Sequence, residues 1–147
     1  MIEVKFGRPS RGISAAWVGR VVRATLAFEK QKGRLVSVFL TDDREIRKIN
    51  KRYLDHNTAT DVISFWFEDG PLTEKGSGCL GDLVVSVETA GRVAKEMAIP
   101  FKEELARYLV HGTLHLLGYN DKAPKDKKVM HRRQEWILDQ LCTRAER

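Results

Sequence analysis

Two of the chain's four histidines stand four residues apart in the segment HGTLHLLGYND, residues 111–121, which ends on an aspartate. On a helix, His111 and His115 lie one turn apart on the same stripe, so both imidazoles can address one cation. Gly118 suits the left-handed residue that ends a helix, and a chain leaving there can fold back over the histidines. Asp121 stands where that return arrives. Two imidazoles and a carboxylate are proper zinc ligands, and three protein donors leave a coordination position open, as in catalytic rather than structural sites. The competing reading is a pair of hydrogen-bonded core histidines followed by an ordinary turn. His131, in KKVMHRRQE, is the rival third donor, although its charged surroundings read as a solvated helix face.

The spacing also resembles zinc peptidases that carry H-E-x-x-H and a distant third ligand. In those enzymes the residue after the first histidine is the glutamate base. Here it is Gly112, and peptide hydrolysis loses its usual proton acceptor. Phosphodiester cleavage has other needs: a metal can polarise a phosphate oxygen and lower the pKa of a bound water, which makes a dedicated glutamate less necessary.

The histidines need a helix, and the flanking sequence supplies one. Pro100 fits its first position, Glu103 and Glu104 suit its positive end, and Leu105, Leu109 and Leu116 mark a buried face. Upstream, IEVKF alternates like a half-exposed strand, and residues 11–30 carry Ile13, Trp17, Val21, Ala24 and Phe28 at helical spacing, with Gly33 as the stop. RLVSVFL reads as a strand buried on both faces. Thr41 then reads as the N-cap of a short helix reaching Tyr53. TDVISFWFE and CLGDLVVSVE are two more strands, joined by DGPLTEKGSG without a helix, which implies an antiparallel pair. The first three strands, linked through helices, are expected to run parallel. Helical patterns follow at 88–98, 100–117 and 125–143, the last with a core stripe of Met130, Trp136, Ile137 and Leu141. The expected fold is α+β: one domain over residues 1–147, a mixed, mostly parallel four-stranded sheet with helices packed on it, and a metal site on a buried central helix.

Composition agrees with a globular chain: 147 residues, 42% apolar and 31% charged. No apolar run approaches the length of a membrane span, and the N-terminus lacks the layout of a secretory signal, so a cytoplasmic location is expected. Cys79 and Cys142 form no CxxC pair and read as reduced thiols. The net charge of +6 is uneven, with thirteen Lys/Arg against six Asp/Glu in residues 1–60. That balance suits a polyanion such as RNA, or simply a solvated surface. Lys125, Lys127, Lys128, Arg132 and Arg133 pose the same choice between an RNA contact and solvated charge. Asp82, in LGDL, reads as a turn residue. Asp61 and Ser64, in TDVISF, could face the cleft or serve as a turn cap and a buried hydroxyl.

HGTLHLLGYND, together with TDVISF and LGDLVVS, resembles the YbeY family of bacterial metal-dependent endoribonucleases, from about Val36 to Trp136. The resemblance implies a zinc-dependent endoribonuclease cleaving single-stranded RNA in ribosomal RNA maturation and quality control. Its implied partners are ribosomal RNA, the small ribosomal subunit and assembly factors. It also implies three metal-binding histidines; two fall on His111 and His115, and the third falls on Asp121. Further departures are Leu54, where a number of family members have arginine, and Trp66, in a place often taken by proline. Lys51, Arg52, His56 and Ser64 are then the candidates for substrate contact. A non-catalytic, metal-stabilised RNA-binding assembly factor is the alternative from a different class, and a zinc metallopeptidase is a third.

Overall fold

A computed structural model of the chain describes residues 2–7, 12–56, 60–66 and 79–145, with side chains described to residue 141. The elements run β1 (Ile2–Phe6), α1 (Ala15–Phe28), β2 (Leu35–Thr41), α2 (Asp43–Leu54), β3 (Val62–Trp66), β4 (Cys79–Ser86), α3 (Val87–Met97), α4 (Phe101–Leu116) and α5 (Pro124–Ala145). The strands form one sheet in the order β1-β2-β4-β3. β1, β2 and β4 are parallel, and among the described residues β3 pairs with β4 alone, antiparallel. The antiparallel β3–β4 pair is as expected, but β3 does not run parallel to β1 and β2. The expectation failed because it took α2 for a crossover between neighbouring parallel strands. Instead α2 carries the chain past the position that β4 later fills, and β3 becomes the sheet edge. The connection expected over residues 69–78 lies outside the described residues.

Strand alternation sorts the side chains onto two faces. Val38 pairs with Leu83, and Leu83 with Ser64; Leu40 pairs with Val85, and Val85 with Val62. This row faces the main core, which also takes Val18, Val22 and Leu26 of α1, Leu105, Leu109 and Leu114 of α4, and Met130 and Ile137 of α5. On the other face Ile63, Phe65 and Val84 gather with Ile46 of α2 into a smaller cluster. α4 therefore crosses β3 and β4 on the face that carries Val62, Ser64 and Trp66.

Several local expectations are corrected. α1 ends at Phe28, well before Gly33: Gln31 N–H donates to Leu26 and Lys30 N–H to Ala27, with Lys30 itself left-handed at φ 59°. A lysine here fills the place that glycine usually marks. The α2 cap is Asp42, whose side chain accepts from Glu45 N–H, because Thr41 is still paired in β2 with Ser86. Pro100 is the cap of α4 rather than its first residue. Asp82 is no turn residue; it is fully buried in mid-β4, opposite Ser37 and Phe65. Trp136 is 43% exposed, its ring edge-on to Phe28 and covered by Arg133, while Met130 and Ile137 keep the core positions expected of them. Cys79 is buried, its thiol donating to the Leu35 and Gly81 carbonyls; the Cys142 side chain lies outside the described residues.

Candidate metal centre

α4 ends in the turn that Gly118 makes possible. Gly118, at φ 102°, donates its N–H to His115 O at 3.0 Å, and Tyr119 N–H donates to Leu114 O at 3.1 Å. This is a Schellman closure, and few side chains other than hydrogen tolerate its left-handed residue. The reversed chain presents the Tyr119 carbonyl to His115 Nδ1 at 3.0 Å and brings the Asp121 carboxylate to 3.7 Å from His115 Nε2. His111, one turn earlier, meets α5: its Nδ1 lies 2.7 Å from Gln134 Oε1.

These contacts fix both tautomers. A carbonyl only accepts, so His115 Nδ1 must carry the proton. Gln134 Nε2 donates to Glu135 Oε2 at 2.9 Å, which leaves the amide oxygen facing His111, and that ring too must donate through Nδ1. The two Nε2 atoms then face each other at 3.1 Å, with lone pairs converging and no proton between them in the neutral rings. Only a shared cation or proton makes that arrangement favourable. One donor atom each from His111, His115 and Asp121 lie within 4.8 Å of one another. Four ligands around zinc sit about 3.4 Å apart, given bonds of about 2.1 Å, so the donor set fits such an ion. Burial, and then the neighbouring His111, lower the His115 pKa against the opposing pull of the Tyr119 carbonyl and Asp121. His115 is therefore neutral and ready to ligate near pH 7.

The supports extend outward. Glu135 receives Arg107, which also reaches Glu103 and Glu104; burial raises the Glu135 pKa, but Arg107 and Gln134 hold it below its ordinary value. Gly112 explains how closely α4 lies on the sheet: a Cβ there would come 2.8 Å from Leu83, 3.0 Å from Val62 and 3.2 Å from Ser64 Oγ. Ser64 donates to Gly112 O at 2.9 Å, and the Trp66 indole donates to Leu116 O at 3.2 Å, satisfying a carbonyl in the last turn of α4.

Two clefts of about 500 Å³ flank the donors. One is bounded by His115, Leu54, His56, Ser64 and Trp66. Of the residues expected to touch substrate, His56 and Ser64 line it, whereas Lys51 and Arg52 stand exposed on the last turn of α2 outside its lining. Asp61 lies at the start of β3, accepting from Val62 N–H. The other cleft, on the α5 side, includes His111, Asp121 and His131; His131 is not among the three grouped donors. The sequence reading missed Gln134, which is buried among helical residues and has no spacing rule to betray it.

Fold and site together define an α+β protein in which three accessible donors at a helix C-terminus are positioned to bind a metal ion. A family model described as Endoribonuclease YbeY matches residues 10–142, and the chain belongs to that family. A relative from Myxococcus xanthus, "Endoribonuclease YbeY", is 40% identical over 90% of this chain, which spans only 44% of that relative's length. Relatives of the same name from Salinibacter ruber and Syntrophotalea carbinolica are 33% and 34% identical, over 94% and 96% of this chain and 90% and 95% of theirs. A Thermotoga maritima protein solved in solution shares the fold, with a TM-score of 0.66 at 23% identity over 99% of this chain and 92% of its own.

Proposed function

We propose that this protein is a zinc-dependent endoribonuclease that cleaves single-stranded RNA during ribosomal RNA processing and ribosome quality control in the cytoplasm. The observation that carries the reading is the pair of facing Nε2 atoms with Asp121 beside them, in a chain of the endoribonuclease family. His111, His115 and Asp121 hold the ion; Gln134 and the Tyr119 carbonyl keep both imidazoles in the ligating tautomer. The bound metal supplies Lewis acidity toward a phosphate oxygen and a lowered water pKa. Trp66, 59% exposed beside His115, offers a ring face to an unpaired base, as single-strand recognition uses. His56 borders the same opening, within reach of substrate; Ser64 holds α4 in register through Gly112. Among the described residues, no helix is long and apolar enough to cross a membrane.

A peptidase reading finds no support at Gly112, where a side chain would point into the sheet instead of toward the donors. Among the described residues, the lining around His115 holds no Lys or Arg, which favours, as a second reading, a metal-stabilised RNA-binding assembly factor. One experiment separates the three. Protein purified without chelator or histidine tag is assayed for bound metal, and then for cleavage of single-stranded RNA and of casein. We expect about one zinc per chain, RNA cleavage lost in the His115→Ala variant, and no proteolysis. RNA binding without cleavage would select the assembly factor, and His111-dependent proteolysis the peptidase.

A further inference from the structure

Lys127, Lys128 and Arg132 line the cleft on the α5 side of the centre, next to His111 and Asp121 and above the buried Met130. All three are exposed, and among the described residues none of them forms an ion pair. Other arginines are engaged: Arg107 by Glu103, Glu104 and Glu135, Arg133 by Glu29, and Arg92 by Asp43. Asp121 is the one carboxylate in the described lining, and it faces the donors. Three uncompensated cations around one concavity produce a local positive field that a polyanion relieves. Among the described residues, the opposite cleft, around His115, has no Lys or Arg in its lining.

We propose that the α5 cleft is a phosphate-binding subsite, in which Lys127, Lys128 and Arg132 hold the backbone of single-stranded RNA on the His111–Asp121 side of the metal. This rests on the endoribonuclease reading, and it adds where the strand is gripped. A strand so held lies across the donors, with backbone charge on one side and a base free to meet Trp66 on the other.

The test is fluorescence anisotropy of a short labelled single-stranded RNA with phosphorothioate linkages, over a salt series, on zinc-loaded protein. Removing three phosphate contacts lowers the slope of log affinity against log salt by about two. The triple variant Lys127→Gln, Lys128→Gln, Arg132→Gln is therefore expected to lose that slope and to bind at least about tenfold more weakly, with metal content unchanged. A triple of equal charge change outside both clefts, Lys32→Gln, Lys95→Gln, Lys102→Gln, is expected to move the slope by less than half as much. Lys127→Arg with Lys128→Arg should retain wild-type binding. Equal effects from the two glutamine triples, or no effect from the first, would overturn the subsite while wild-type cleavage keeps the endoribonuclease reading intact. Wild-type protein that neither binds nor cleaves RNA would overturn both.

Discussion

On the β3 side of the paired histidines the described wall carries no Lys or Arg, and hydrogen bonds to α4 fix it. Trp66 is pinned through its indole to the last turn of α4, and Leu54, 44% exposed, closes α2 beside it. On the α5 side the wall is one helix face of flexible cations over Met130. The two clefts divide the candidate metal donors and have no described lining residue in common: His115 belongs to the first, His111 and Asp121 to the second. On the proposed function, the difference teaches that charge and shape recognition are separated at this centre. One wall can select an unpaired base by its ring face, while the other can hold any backbone.

The largest expected effect removes the donors that the two clefts flank. His111→Ala or His115→Ala should abolish stoichiometric zinc, read by elemental analysis, and lower RNA cleavage by more than about a hundredfold, beyond the 10–100-fold typical of groups that only support a ligand. Asp121→Ala should lower zinc affinity about tenfold or more, and His131→Ala should leave it unchanged. Metal loss in the His131 variant with retention in the Asp121 variant would reassign the third ligand. Gln134→Leu comes next: losing the acceptor that fixes the His111 tautomer should weaken zinc about tenfold by competition titration.

Trp66→Ala sharpens the contrast between the walls. Stacking carries little salt dependence, so RNA binding should weaken about 5- to 150-fold, the equivalent of about 1–3 kcal/mol, with the salt slope intact; a changed slope would show that the walls do not divide the task. The smallest effect concerns Asp43, which anchors the start of α2 and so the wall that Leu54 completes. Burial raises its pKa, but hydrogen bonds from Ser86, Thr89 and Arg92 hold it below the ordinary 3.8. Its ionised form therefore stabilises the fold fully above that value, and the contribution is lost as pH falls through the lowered one. Asp43→Asn should melt slightly earlier than wild type at pH 7, with the gap closing in acid. A gap independent of pH would mean that the carboxylate's charge is not what anchors the helix.

The ligating helix was legible because two local signals coincide there, the His111–His115 spacing and the Gly118 stop. Strand existence was equally local, written in the apolar runs. Strand order was not, since nothing within VISFW states that β4 would come between it and β2. The α1 end was hidden because Lys30 takes a left-handed conformation that its side chain does not advertise. Trp136 was misplaced because helical periodicity marks a stripe without saying how far it continues under its neighbours. Gln134 and the division of the cations between Glu29 and the cleft depend on how α5 rotates against α4, which is tertiary information. Arg133 and Arg132 are adjacent, and only the packed helix turns one toward Glu29 and the other toward the donors.

In the proposed zinc protein, the turn at Gly118 also ties the metal to backbone motion. The same few residues satisfy the helix's last carbonyls, orient the His115 ring through the Tyr119 carbonyl and deliver Asp121. Fraying of this helix end and release of the ion are therefore one event, linked by mass action: at about 100 times its dissociation constant, a ligand adds about 2.7 kcal/mol to the state that binds it. Amide hydrogen exchange at Gly118 and Tyr119 should slow as zinc is added, while exchange in the middle of α4 stays set by global unfolding.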